Sequence, residues 1–201
     1  MARQRTIDRR RFLKRAAGLA AAAGACPEFV PSSVLGADGA IAPSNRSAVS
    51  AIGVGGRGQG VLAGFLGSRD AQVVAVCDVK RPEREATREQ VDRHYGTKTC
   101  AAYADFRELV GRDDIDAVSI ASTDHWYVLH ALAAVRAGKD VYVEKPLGLS
   151  VEELKTLRRE VHRHGRVFQF GTQQRSDPNF RLACELALNG RLGKVGKMAT
   201  G

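Results

Sequence analysis

Cysteine is scarce in this chain and badly spaced for its usual structural uses. There are four, and no two of them form C-x-x-C, so neither a disulfide framework nor a thiolate metal site is indicated. Cys77 ends an apolar strand-like run and Cys184 sits in an apolar helical pattern, which predicts packed thiols rather than ligands or bridges. No cluster of His, Cys and acidic residues has zinc spacing. No basic block is interleaved with aromatics, so nucleic-acid recognition is not supported. The apolar stretch Ala16 to Ala25 falls short of the ~20 residues a membrane span needs. Internal repeats are absent, and so are low-complexity tracts after residue 36.

The positive charge is unevenly placed. The formal net charge is +9, and residues 1–36 hold seven basic and two acidic side chains, a balance of +5. The remainder is spread along predicted helices. Arg9-Arg10-Arg11-Phe12-Leu13-Lys14, the Ala/Gly-rich stretch after it and the small residues that follow have the layout of an export signal. The pattern resembles a twin-arginine (Tat) signal, with Asp8 where Ser or Thr is commoner. Val34-Leu35-Gly36 and Ala40-Ile41-Ala42 both end on small residues, and Pro43 argues against cleavage after Ala42. Cys26 is a lesser candidate for lipid attachment, because it lacks the usual Leu three residues before it. These features predict a signal over 1–36, a polar linker over 37–46 and export to the periplasm.

The strongest motif is Gly53-Val54-Gly55-Gly56-Arg57-Gly58, which contains G-x-G-x-x-G. The apolar run Ala48 to Val54 leads into it, and a helix-compatible segment, Gln59 to Leu66, follows. The apolar run Val73 to Cys77 then ends on Asp78, 20 residues after Gly58. Strand, glycine turn, helix, strand and acid is the order that holds a dinucleotide. Gly53 would allow the tight turn, Gly55 the approach of a pyrophosphate, and Gly58 close packing of helix on strand. Asp78 would accept from ribose hydroxyls and repel a 2′-phosphate, which favours NAD. Lys80 and Arg81 could neutralise such a phosphate, so NADP stays open.

Beyond this unit the pattern keeps alternating. Helices are predicted over Pro82–Tyr95, Asp105–Val110, Trp126–Ala137, Ser150–His164 and Asn179–Leu188, and strands over Ala117–Ala121, Asp140–Glu144 and Val167–Phe170. Pro82 suits a first helical turn, and Ser150-Val151-Glu152-Glu153 reads as a capping box. Strands separated by helices predict an α/β fold with a Rossmann-type parallel sheet covered by helices on both faces. Such sheets bind ligands beyond the carboxyl ends of their strands. Three polar stretches fall there: Ser122-Thr123-Asp124-His125-Trp126, Glu144-Lys145-Pro146 and Gly171-Thr172-Gln173-Gln174-Arg175.

Together these stretches and the glycine turn resemble the Gfo/Idh/MocA oxidoreductase family, from Ser47 to Gly201. The resemblance implies an NAD(P)-binding domain over 47–192 and a second, sheet-rich α+β domain, of which 193–201 would be only the start; most of it is expected to be missing. It implies that Lys145 is the catalytic residue, beside nicotinamide and substrate. Glu144 would lie near the nicotinamide ribose, and Ser122, Thr123 and His125 would pack against the cofactor. Arg175 would face the cofactor or an anionic substrate. Gly53, Gly55, Gly56, Arg57, Gly58 and Asp78 complete the expected cofactor site. His125 reads equally as a helix-start residue, and Trp126 and Tyr127 as packing. Where many members have Thr-Pro before Asp-His-Trp-His, this chain has Ser122-Thr123, and Tyr127 replaces the second His.

The implied activity is hydride transfer to or from a sugar, polyol or related hydroxyl compound. Two alternatives stand beside it. One is an NAD-retaining glycoside hydrolase working by transient oxidation; the other is a truncated nucleotide-binding fragment without catalysis. Full-length relatives are expected to be homo-oligomers.

Overall fold

A computed structural model of the chain describes residues 41–194, 196 and 197. The predicted signal over 1–36 with its cleavage candidate at Gly36, residues 37–40 of the linker, and residues 195 and 198–201 lie outside the described residues. The chain divides into two units, Met1–Ser44 and Asn45–Gly201, and the second carries the fold.

Six strands form one parallel sheet: β1 (Ser47–Ile52), β2 (Ala71–Cys77), β3 (Ala101–Tyr103), β4 (Ala117–Ile120), β5 (Asp140–Glu144) and β6 (Phe168–Gly171). Their spatial order is β3-β2-β1-β4-β5-β6. The chain therefore winds outward from β1 in one direction and, after β3, outward from β1 in the other. The reversal opens a crevice between β1 and β4 at their carboxyl ends. The helices are α1 (Gly56–Leu66), α2 (Arg81–Tyr95), α3 (Phe106–Val110), α4 (Tyr127–Arg136), α5 (Val151–His164) and α6 (Pro178–Leu188).

The strands are apolar on both faces because both faces are covered. Leu62 and Leu66 of α1 and Val91 of α2 pack with Ala51, Val73 and Val76 on one side. Leu109 of α3, the small-residue face of α4 (Ala131, Ala134, Val135) and Leu157 of α5 pack with Val118, Ile120, Val141 and Val143 on the other. Pairing of β1 with β2 steps from Val49–Val73 to Ser50–Ala75, so Val74 is an extra residue and the side-chain alternation shifts there.

The helix ends follow local chemistry. Ser150 caps α5 through its hydroxyl, which accepts from the Glu153 N–H at 3.2 Å. Gly96 and Gly165 close α2 and α5 in the left-handed conformation. Asp177 caps α6 by accepting from the N–H groups of Asn179 and Phe180.

Three expectations need correction. Helix α1 begins at Gly56, inside the glycine motif, rather than at Gln59. The apolar Val54 before it belongs to the turn, where the chain leaves the sheet to meet the helix. Strand β3 was not legible as a separate element. Cys184, expected to be a packed thiol, is exposed, because α6 buries none of its side chains. Cys77 is buried as expected, and burial, followed by the nearby Asp78 charge, pushes its thiol up to about 12. Among the described residues no helix is long and apolar enough to cross a membrane.

Candidate functional site

The glycine motif forms the floor of the crevice. Gly53 has φ +79°, and a Cβ there would lie 2.5 Å from the backbone N of Ser122. Both the turn and the close approach of the β4 end require glycine. A Cβ on Gly58 would run into the Gly53 carbonyl oxygen, so α1 meets the end of β1 only because Gly58 has no side chain. Gly55 differs: a Cβ there would meet nothing within 4 Å. It is the N-cap of α1 and has no side chain to cap with. The first-turn N–H groups of Gly56, Arg57 and Gly58 therefore lack intrahelical partners, at the positive end of the helix dipole.

Gly53, Gly55, Gly56, Arg57, Asp78, Ser122 and Thr123 share the wall of one cavity of about 730 Å³. Asp78 is fixed within it. Its Oδ2 accepts from the Val54 N–H at 3.0 Å and its Oδ1 from the Lys80 N–H at 2.9 Å. Each carboxylate oxygen keeps further acceptor capacity. Ser122 shares a 3.0 Å hydrogen bond with Nδ1 of His130. Burial, then the Arg107 charge, lowers that imidazole to about 4, so it is neutral near neutral pH. The His130 ring stacks on Trp126 at 5.4 Å and lies 4.4 Å from Phe106. Trp126 and Phe106 line the same cavity, so Trp126 is part of the site wall, while Tyr127 is buried packing.

A second cluster stands at the end of β5. Glu144 is fully buried. Its Oε1 accepts from Nη2 of Arg57 at 2.8 Å and from the Tyr142 hydroxyl at 2.9 Å. Burial alone would raise its carboxyl; the hydrogen bonds from Arg57 and Tyr142 outweigh this and hold it below the usual carboxylate range. The Arg57 guanidinium is raised in return, mainly by the same hydrogen bond. Burial, then the bond to Glu144, raises the Tyr142 phenol. Glu144 thus joins the glycine turn through Arg57 without lining the cavity itself.

The remaining predicted residues stand apart. Lys145 is exposed directly after β5. His125 lies in the turn Asp124–Trp126, exposed, with its ring 6.2 Å from Trp126. Arg175 lies exposed in the turn Gln173–Ser176. None of the three lines the cavity. Sequence reasoning missed Tyr142, His130 and Phe106. Two signals were available: Tyr142 and Glu144 are two apart on one strand, hence on one face, and Trp126 and His130 have i,i+4 spacing. Among the described residues no group of three or more His, Cys, Asp or Glu side chains could hold a metal ion.

Strand order, crevice and uncapped glycine turn define a Rossmann nucleotide-binding domain. The family described as "Oxidoreductase family, NAD-binding Rossmann fold" (GFO_IDH_MocA) matches residues 48–172, and the chain belongs to it. A glycosyl hydrolase family 109 protein of Shewanella amazonensis is 36% identical over 166 residues, covering 74% of this chain and 35% of that protein. Inositol 2-dehydrogenase 3 of Saccharopolyspora erythraea is 36% identical over 124 residues, covering 61% of this chain and 35% of that protein. Scyllo-inositol dehydrogenase of Lactobacillus casei, solved with bound NAD(H) and scyllo-inositol, superimposes with a TM-score of 0.65 at 26% identity. That match covers 74% of this chain and 43% of the solved one. The chain thus spans well under half the length of these relatives.

Proposed function

We propose that this chain is the cofactor-binding part of an NAD(H)-dependent oxidoreductase acting on a polyol, sugar or related hydroxyl compound. The observation that carries the reading is the open space at Gly55 before the uncapped first turn of α1, with the Asp78 carboxylate in the wall of the same cavity. The residues fit a dinucleotide. First-turn N–H groups suit a pyrophosphate, Asp78 suits ribose hydroxyls, and Ser122 and Thr123 add hydroxyls to the cavity. When bound, nicotinamide would supply the hydride donor or acceptor. Lys145 would orient the substrate hydroxyl and take up or return its proton. Arg175 would meet the cofactor or an anionic group of the substrate, and His125 would border the cofactor.

NAD is favoured over NADP because the Asp78 carboxylate would repel a 2′-phosphate. The neighbouring Lys80 is exposed and softens that preference. Titration of NADH and then NADPH, followed by nicotinamide fluorescence, tests both statements. Saturable NADH binding with NADPH weaker by ~10-fold or more is the expected result; a folded protein that binds neither contradicts the reading.

The likeness to glycosyl hydrolase family 109 proteins favours a second reading, a glycosidase that retains its NAD through a transient oxidation. Net NADH formation with polyols supports the first reading; glycoside cleavage without net NADH supports the second. The twin-arginine pattern of residues 1–36 supports the further proposal that the protein is exported.

A further inference from the structure

Ser122 and His130 meet in the cavity wall from two different elements. Ser122 follows β4, and His130 stands on α4, one turn beyond Trp126. Both line the cavity. Ser122 is pinned from two sides. Its backbone lies against Gly53, where a Cβ would come within 2.5 Å of the Ser122 N and Cα. Its hydroxyl lies 3.0 Å from Nδ1 of His130. The imidazole is clamped in turn. It is 7% exposed, stacked on the Trp126 ring with 18° between the planes, and packed against Phe106. The next hydroxyl, on Thr123, is exposed and makes no capping bond. The cavity wall therefore holds one oriented hydroxyl beside one free rotor.

The chemistry of the pair sets the direction of its hydrogen bond. A neutral imidazole has one N–H and one basic nitrogen. The hydroxyl is the stronger donor and the imidazole nitrogen the stronger acceptor, so Ser122 donates and Nδ1 accepts. The ring N–H is then on Nε2. Burial and the nearby Arg107 charge keep the ring neutral, the state in which Nδ1 can accept.

We propose that His130 is a positioning residue of the cavity: acting through Ser122, it fixes the direction of that hydroxyl, so that the Ser122 oxygen meets the ligand as an acceptor for an O–H or N–H donor. The inference rests on the dinucleotide reading above, in which the donor belongs to the cofactor. The benefit is pre-organisation, because the hydroxyl loses its rotor freedom when the chain folds and not when the ligand binds.

The test separates the ring of His130 from its nitrogen. His130→Phe keeps an aromatic ring against Trp126 and Phe106 but has no nitrogen to accept. His130→Asn keeps a polar atom at the place of Nδ1 but has no ring. Both are compared with wild type in the full chain at neutral pH, by NADH titration and by Tm. A positioning role puts affinity and stability in opposite orders. His130→Phe is expected to keep its Tm and to bind NADH ~10-fold more weakly. His130→Asn is expected to melt lower and to keep its affinity within ~3-fold of wild type. A cycle with Ser122→Ala gives a second readout. Ser122→Ala alone is expected to lose at least as much affinity as His130→Phe, and the double variant to lose no more than Ser122→Ala, because groups that act as one unit are not additive.

Affinity that follows Tm, kept in His130→Phe and lost in His130→Asn, overturns the positioning role and makes His130 a packing residue. Equal affinities in the two variants overturn it as well. Additive losses in the double variant overturn action through Ser122. In each of these cases saturable binding by wild type leaves the dinucleotide reading standing. A folded wild type that binds no NADH overturns that reading, and this inference with it.

Discussion

The two halves of the sheet's carboxyl edge are furnished very differently. At β1, β2 and β4 the chain encloses a cavity with its own backbone, a fixed carboxylate and an aromatic wall. At β5 and β6 the polar residues that follow the strands, Lys145 and Arg175, are exposed. Helix α6 beyond them buries nothing and leaves Phe180, Leu182 and Leu188 largely uncovered. The first half is pre-organised for a ligand by the described residues alone; the second offers chemistry without walls. Arg57, reaching from α1 to Glu144, ties the two together.

Substitutions within the enclosed half should separate packing from binding. Gly58→Ala should cost most, at least ~3 kcal/mol in urea denaturation, because its Cβ has no space beside Gly53. Gly55→Ala should change stability by less than ~0.5 kcal/mol and yet abolish measurable NADH binding, because its Cβ would occupy only the ligand's space. Equal stability losses for the two would dissolve the distinction between a packed and an open glycine.

The aromatic wall gives a pH signature of similar size. His130 is neutral in the fold down to about 4, whereas in the unfolded chain it protonates near its usual 6.5. Between these values the unfolded state binds more protons, so stability falls as pH is lowered through that window, by on the order of 3 kcal/mol in total. His130→Phe should flatten that slope in pH-dependent denaturation; an unchanged slope would mean that the imidazole is not held neutral. Asp78→Ala should cost less, about 1–3 kcal/mol, because it removes the acceptor of the buried Val54 N–H. It should also narrow any preference for NADH over NADPH. Lys145→Ala, on the open side, should shift Tm least, by under ~0.5 kcal/mol in stability, with NADH affinity within a few-fold of wild type.

Much of the enclosed half was legible beforehand because its signals are local. The glycine spacing and Asp78 at the end of an apolar run each depend on neighbours within one or two elements. Strand β3 was not legible because three residues, Ala101–Tyr103, are too few to show a period; pairing with β2 makes them a strand. The Arg57–Glu144–Tyr142 cluster joins residues far apart in sequence, and no spacing rule points from the glycine turn to the end of β5. Cys184 misled because an apolar helical pattern predicts a buried face only when something packs against it.

The central claim is that the crevice at Gly55 receives a dinucleotide. The most direct measurement is NADH fluorescence titration of wild type and Gly55→Ala side by side, with the melting temperature of each recorded. Saturable binding by wild type, lost in a variant of unchanged Tm, is the predicted result. Equal NADH binding by both, or none by a folded wild type, would contradict it.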